Sequence, residues 1–278
     1  MAIKLDMGKA WNDAVALLSA NKDVVLIVAA VFFFLPNAIA TLAMPQATAE
    51  LEAMAAANAE PDLQAMLDMM LAFYAEIWWI LVLLAVFQAI GVLGLLALLT
   101  DTSRPTVGEA LAFGAKALIP YIGAQLLGSF LIALVVGVLI ALGSLIAPAV
   151  GVLLGLVGFV IAIYLYVKFS LVSPVIAIER KLNPFTVLRR SWDLTKGNSL
   201  RLFLFYLLLV VVLFVVTALA SMLWAIFGIM GEQAGLFASA IGGALVTMAS
   251  VAIFLAVLAA VHRQLSGGSS EAIRETFD

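Results

Sequence analysis

The chain contains no cysteine and a single histidine, His262, among 278 residues. Disulfides, thiolate metal sites and cysteine nucleophiles are therefore excluded in any compartment. One histidine is also too few for a histidine-based metal cluster. Charge is scarce too: 11% of residues are Asp, Glu, Lys or Arg, against 65% hydrophobic, and mean hydropathy is +1.21. A soluble domain carries about 25% charged and roughly 45–50% apolar residues. So little charge cannot cover a water-facing surface, which excludes a soluble enzyme, a nucleic-acid-binding protein and a disordered regulator. Gly-rich phosphate loops, serine triads and paired catalytic carboxylates are absent as well. No catalytic residue, metal or cofactor is assigned, and a non-enzymatic protein is expected.

What the chain does have is long uncharged tracts. A charge at the bilayer centre costs on the order of 2.5–3.5 kcal/mol on insertion scales, and a helix needs about 20 residues to cross the hydrocarbon. Uncharged gaps therefore locate the spans. There are 26 residues between Asp23 and Glu50, 24 between Glu76 and Asp101, 51 between Lys116 and Lys168, and 61 between Arg201 and Arg263 with the single charge Glu232. The longer gaps hold two crossings each, the first of them turning near Gly143, Ser144, Pro148 and Gly151. The expectation is an all-α polytopic membrane protein, one domain over 1–278. It has six transmembrane helices at about 24–44, 77–100, 118–142, 150–173, 202–224 and 236–261, a helical outer loop at 45–76, and a C-terminal tail at 263–278.

With six spans both termini share one side, and that side then carries all 14 lysines and arginines. The other side carries only acids: Glu50, Glu52, Glu60, Asp62, Asp68, Glu76 and Glu232. By the positive-inside rule the termini are cytoplasmic. Ala38-Ile39-Ala40 after an apolar run has the form of a signal-peptidase site. The amphipathic segment before that run is longer than a usual leader's basic region, which favours a retained first span.

Three cytoplasmic segments share one design, an amphipathic helix followed by a membrane hairpin. The first, 4–21, sets Met7, Ala10, Trp11, Ala14, Leu17 and Leu18 on one face. The second, 106–117, opens on a Thr106–Glu109 capping box. It shows Val107, Ala110 and Leu111, followed by Leu118, in a stripe weakened by Gly114. The third, 183–197, opens on Asn183 and Pro184, with Phe185, Leu188, Ser191, Trp192 and Thr195 as its less polar face. Helices of this kind lie in the headgroup plane. The pattern fits either a threefold parallel repeat, as some transport proteins have, or growth by hairpin units.

Pro174-Val-Ile-Ala-Ile-Glu179, Asn183-Pro-Phe185 and Leu188-Arg-Arg-Ser191-Trp192 resemble a cytoplasmic loop of bacterial six-span inner-membrane proteins. These are the membrane domain of glycerophosphoryl diester phosphodiesterases and the YciC-like uncharacterised proteins. The matching positions are Pro174, Glu179, Arg190, Ser191 and Trp192. The catalytic domain attached to the phosphodiesterases has no counterpart in these residues. The resemblance therefore implies a topology and an inner-membrane location rather than an activity.

Lys168, Arg180, Lys181, Arg189, Arg190, Lys196 and Arg201 form the densest basic cluster. Groups of four to eight Lys/Arg beside a span bind anionic headgroups at about 1 kcal/mol each, with Trp192 setting the depth; simple orientation of the chain is the alternative reading. Lys168 is expected to snorkel to the boundary beside Tyr164 and Tyr166, the alternative being an inward-facing lysine in a wet cavity. Past it either the fourth helix continues with a bend at Pro174 or the chain leaves the bilayer, with Glu179 and Arg180 capping a protruding helix end. Asn37, Gln88 and Gln125 are the intramembrane polar residues. Asn37 follows Pro36, whose bend frees a carbonyl that its amide can help satisfy, Gln88 and Gln125 suit bonds between helices, and all three are candidates for lining a conduit. Gly151, Gly155 and Gly158, Ala124 and Gly128, and Gly242 and Gly243 allow close helix approach. The methionines of the outer loop, Met44, Met54, Met66, Met69 and Met70, read as packing rather than as a soft-metal site. The expected function is binding of anionic membrane lipid or scaffolding of another membrane protein. A conduit between the helices and an enzyme acting on lipid headgroups are the alternatives.

Overall fold

The structure is a computed structural model that describes residues 3–43, 63–100 and 105–267. Every regular element among them is helical. Six helices are long and apolar enough to cross a membrane: Lys22–Leu42, Met70–Thr100, Leu118–Ile146, Pro148–Glu179, Ser199–Met230 and Glu232–Leu265. The expected outer-loop residues 44–62, with Met44 and Met54, and the tail from 268 lie outside the described residues, as do the side chains at 66 and 69.

Helix α1 (Met7–Ala20) starts where the Asp6 carboxylate accepts the Lys9 N–H at 2.9 Å. The first span is α2 (Lys22–Ala29), a π turn at Ala30–Phe34, and α3 (Leu35–Ala43). Pro36 has no N–H to give its helix, and the widened turn just before it absorbs that defect. The Asn37 amide donates to the Phe33 carbonyl at 2.6 Å. The second span belongs to α4 (Leu63–Thr100), 38 residues long. At 1.5 Å per residue it measures about 57 Å, so residues 63–76, placed in the outer loop from sequence, continue the span as helix beyond the hydrocarbon.

Helix α5 (Val107–Lys116) begins with both halves of the Thr106–Glu109 capping box formed. The Thr106 N–H and hydroxyl hold the Glu109 carboxyl below its ordinary pKa. Gly114 here is an advantage rather than a gap. A Cβ at that position would lie 2.8 Å from the Ile90 carbonyl oxygen, so glycine lets α5 seat directly on the backbone of α4. Helices α6 (Leu118–Ile146) and α7 (Pro148–Phe169) form a hairpin that turns on Ala147 alone, with Pro148 in the first turn of α7. Its two arms are knit by small residues. A Cβ on Gly143 would come within 2.8 Å of Gly151 Cα, and Gly155 and Gly158 face Ile140 and Val136. The small residues expected to permit close approach therefore do so within the chain. Gly242 likewise receives the Trp224 indole, while Gly243 beside it faces open space.

After a two-residue break come α8 (Val172–Glu179), α9 (Pro184–Thr195), α10 (Ser199–Ala225) and, past a 3₁₀ turn at Ile226–Met230, α11 (Glu232–Leu265). The last turns of α11 are the centre of the molecule. Residues Leu255–His262 are buried on every face, with α1, α8 and α10 among the helices packed around them. Away from that end the spans present leucine, valine, isoleucine and phenylalanine outward; Leu145 is 83% exposed and Ile229 87%. Continuous apolar exposure of this extent suits lipid and not water. Both described chain ends lie at the packed end, where the Arg263 guanidinium meets the Asp13 carboxylate at 2.9 Å.

Candidate functional site at the basic end

The site is organised by the break between α7 and α8. Pro174 is the third residue of α8, and its missing N–H would have bonded the Ser170 carbonyl in a continuous helix. The chain therefore turns at Ser170–Leu171, and Pro174 falls in the new first turn, where a donor is not needed. A bend at Pro174 was one of the two readings of the sequence; the break precedes the proline for this reason.

The break strands backbone polar groups in a buried place, and α9 satisfies them. Ser191 Oγ donates to the Lys168 carbonyl at 2.7 Å and accepts the Leu171 N–H at 3.2 Å. Thr195 Oγ1 adds a longer contact to the same carbonyl at 3.5 Å. Ser191 and Thr195 are fully buried. The residues on either side of Ser191 point to different targets. Arg190 Nε donates to both oxygens of Glu179, at 2.9 and 3.0 Å, and the Trp192 ring lies over the Lys168 ammonium, 5.0 Å from its centroid. Three consecutive residues of α9 thus fasten the end of α7, the break and the end of α8.

Glu179 collects three donors. Besides Arg190, Lys181 Nζ lies at 2.7 Å and His262 Nε2 at 3.1 Å. An ionised carboxylate only accepts, so His262 presents a protonated Nε2 to it. The histidine is 2% exposed and secures the end of α11 to the end of α8. Arg180, in the left-handed conformation at φ 55°, ends α8 and lays its guanidinium 3.9 Å from the centre of the Phe113 ring on α5.

Lys168 is not at the surface. It is 2% exposed, held between Trp192 and the Tyr164 ring at 5.5 Å. The expected snorkelling is replaced by an aromatic enclosure, because α9 covers the side of α7 that would otherwise meet the headgroups. The buried face of α9 also differs from the expected one. Val187, Leu188, Ser191, Leu194 and Thr195 are buried, whereas Phe185 is 71% exposed. The helix turns its Val187–Leu194 edge to the spans and leaves Phe185 outside.

A second fastening joins the beginning of the chain to the α9–α10 turn. Asn198 Oδ1 accepts the Leu5 N–H at 2.9 Å and its Nδ2 donates to the Ile3 carbonyl at 2.7 Å. Arg201 donates to the Leu5 carbonyl at 3.3 Å, and Gln264 Oε1 accepts the Asp6 N–H at 3.2 Å. The basic cluster is thereby divided. Arg190 and Lys181 serve Glu179, Arg201 holds Leu5, Arg180 covers Phe113, Lys168 is enclosed and Lys196 is exposed. Arg189 is exposed and borders a slot between α6 and α9. That slot has a volume of about 380 Å³ and is walled by Leu127, Leu131, Phe169, Phe185, Leu188 and Trp192.

The intramembrane polar residues do not converge. Asn37 bonds within its own helix, and Gln88, half-buried on α4, lines neither that slot nor the larger cavity beside it. Gln125 does line the larger cavity, about 570 Å³ between α6, α7, α8, α10 and α11. Ser191 was read from sequence as part of a face and as a position of the family resemblance, not as the partner of the break, and Asn198, Gln264 and the role of His262 were not found at all. An Asn after a glycine at a helix start reads as a cap, and nothing local in the sequence points to Leu5. No protein-family model, curated protein or solved structure matches the chain.

Proposed function

We propose that this multi-pass protein resides in the bacterial inner membrane with both chain ends cytoplasmic, and that it binds an anionic phospholipid at the α6–α9 slot without catalysing a reaction. The cytoplasmic assignment rests on the sequence, in which six spans leave all 14 lysines and arginines on the side of the two termini, the side that the positive-inside rule makes cytoplasmic. The inner-membrane assignment rests on the resemblance carried by Pro174, Glu179, Arg190, Ser191 and Trp192.

The observation that carries the lipid reading is the position of Arg189. Of the other cations that the sequence grouped with it at 168–201, all but the exposed Lys196 contact protein groups, and Lys196 does not line that slot. Arg189 instead stands at the rim of a slot whose walls are leucine, phenylalanine and tryptophan. An acyl chain fits such walls, and a phosphate at the rim meets the guanidinium as a charge-assisted pair.

One arginine near the surface contributes about 1 kcal/mol toward an anionic headgroup, or roughly fivefold in affinity. Native mass spectrometry of the full chain in mild detergent, titrated with phosphatidylglycerol or phosphatidylcholine, tests the reading. Preferential retention of phosphatidylglycerol is expected, reduced about fivefold in Arg189→Gln and unchanged in Lys181→Gln. Equal retention of the two lipids, or an Arg189→Gln protein that binds as the parent does, would overturn it.

A further inference from the structure

We propose that the larger cavity is a separate binding site for an uncharged lipid with a hydroxyl-bearing head, of the diacylglycerol class. It does not depend on the Arg189 slot, which opens on the other side of Phe169.

The cavity has a volume of about 570 Å³ and runs along α6 from Tyr121 to Ile132, roughly 16 Å at 1.5 Å per residue. At about 30 Å³ for a water-sized group, it has room for roughly twenty such groups: a glycerol head and the start of its chains. Most of its polar groups sit toward the basic end, where Tyr121, Gln125 and Ser170 face it, while Ile132, Leu213 and Val251 line the deeper part. Gln125 and Ser129 on its edge are exposed beside the outward-facing Leu126 and Phe130, so the cavity opens sideways to lipid.

Three of its hydroxyls are free. In an apolar setting a helical serine or threonine can return its hydroxyl to a carbonyl one turn earlier. Thr41, Thr100, Thr217, Ser221 and Ser239 do so here, whereas the exposed Ser144 and Thr247 do not. Ser129, Ser173 and Ser250, which line the cavity, make no hydrogen bond with any described residue. Ser173 is the telling one: the residue is only 8% exposed, yet its hydroxyl is not sealed among the described residues and reaches the cavity that it lines. Gln125 spends one amide hydrogen on Tyr121, at 3.0 Å, and retains an acceptor and a second donor.

The lining contains no Asp, Glu, Lys, Arg or His. A phosphate buried there would have no counter-charge in a medium of low dielectric, whereas hydroxyl and ester oxygens would meet the serines and the amide. The cavity therefore selects against the anionic lipid that Arg189 attracts.

The test is binding of 1,2-dioctanoylglycerol to the full chain in detergent, read by native mass spectrometry, with dioctanoyl phosphatidylglycerol as competitor. Saturable binding of the diglyceride is expected, weakened about fivefold in Ser173→Ala through loss of one hydrogen bond. It should be abolished in Ser129→Trp, which fills the mouth from its exposed edge, and unchanged in Arg189→Gln. Should Ser173→Ala fail to fold, Ser250→Ala provides the same reading from the deep end. Diglyceride binding unaltered in the serine variants, or displaced equally well by the phospholipid, would overturn the proposal. An effect of Arg189→Gln on diglyceride binding would overturn the separation of the two sites.

Discussion

Glu179 Oε1 and His262 Nε2 lie 3.1 Å apart although 83 residues separate them in sequence. The carboxylate, with its side chain 16% exposed, also holds Arg190, while Lys181 reaches it from outside with its own side chain 41% exposed. These exposures rank the contributions. Glu179→Gln removes the negative charge and leaves one acceptor oxygen for Arg190, His262 and Lys181, with an NH2 donor facing them, and should cost about 2–3 kcal/mol. That is below the 3–5 kcal/mol of a fully buried pair, because water still reaches Arg190. Arg190→Gln should cost somewhat less, and Lys181→Gln about 0.5 kcal/mol or less. Thermal unfolding in one detergent checks the order, and a Lys181 variant as damaged as the Arg190 variant would contradict it.

That pair also marks the limit of what a sequence discloses. The number of spans and the side that carries the cations were legible, because a charge within lipid is costly enough to empty whole tracts of Lys, Arg, Asp and Glu. The Thr106–Glu109 box and the Asn183–Pro184 helix start were legible too, since each depends on neighbours within a few residues. The hairpin turn was placed near Pro148, but Gly143, Ser144 and Gly151, also expected to mark it, lie within helices. Contacts of long range were not legible. His262 was read only as a lone histidine and Asn198 drew no reading, because their partners, Glu179 and Leu5, are set only by the packing of elements distant in sequence. Phe185 was misplaced for a related reason. Helical spacing defines an apolar arc, but packing against α6 and α8 decides which edge of the arc is covered.

Ser191 carries the break between α7 and α8, so its removal should be felt locally. Ser191→Ala leaves the Lys168 carbonyl and the Leu171 N–H unpaired in a buried place, at about 1–3 kcal/mol. Hydrogen exchange at the Leu171 amide should accelerate more than at Val175, whose N–H bonds the Leu171 carbonyl within α8. Thr195→Ala, losing only the 3.5 Å contact to the break, should have the smaller effect. Equal protection of the Leu171 amide in the parent and in Ser191→Ala would remove the assigned role.

The glycines separate into two groups that should respond oppositely to alanine. A Cβ at Gly91 would lie 2.5 Å from Phe32 Cβ, and one at Gly114 would lie 2.8 Å from the Ile90 carbonyl oxygen. Both contacts require helix axes to move, so Gly91→Ala and Gly114→Ala should destabilise by about 1–3 kcal/mol. Gly108 and Gly243 have nothing within 4 Å of that position. Alanine there should stabilise by roughly 0.5–1 kcal/mol through helix propensity. Unfolding midpoints of the four variants decide it. A loss of stability at Gly243 would show that a surface absent from the single chain packs against it.

Lys168 sets desolvation against attraction, and the balance can be measured. Its ammonium makes no ion pair with a described residue and relies on the faces of Trp192 and Tyr164, 5.0 and 5.5 Å away. A cation over an aromatic face gains about 0.5–2 kcal/mol, whereas removing an ion from water costs several. Methionine has a similar length and flexibility without the charge. Lys168→Met should therefore leave stability unchanged or raise it by about 1 kcal/mol, since the Ser191 bond uses the backbone carbonyl at 168 and survives the substitution. Trp192→Leu should have the opposite sign in the parent, costing about 1–3 kcal/mol, because it removes the ring while the charge stays buried. In the Lys168→Met background the same tryptophan change should cost less, by roughly the cation–π contribution. A double-mutant cycle on unfolding free energies isolates that coupling. A coupling near zero would show that the ring merely fills space beside the lysine, and a large loss in Lys168→Met would show that the ammonium has a partner the packed end depends on.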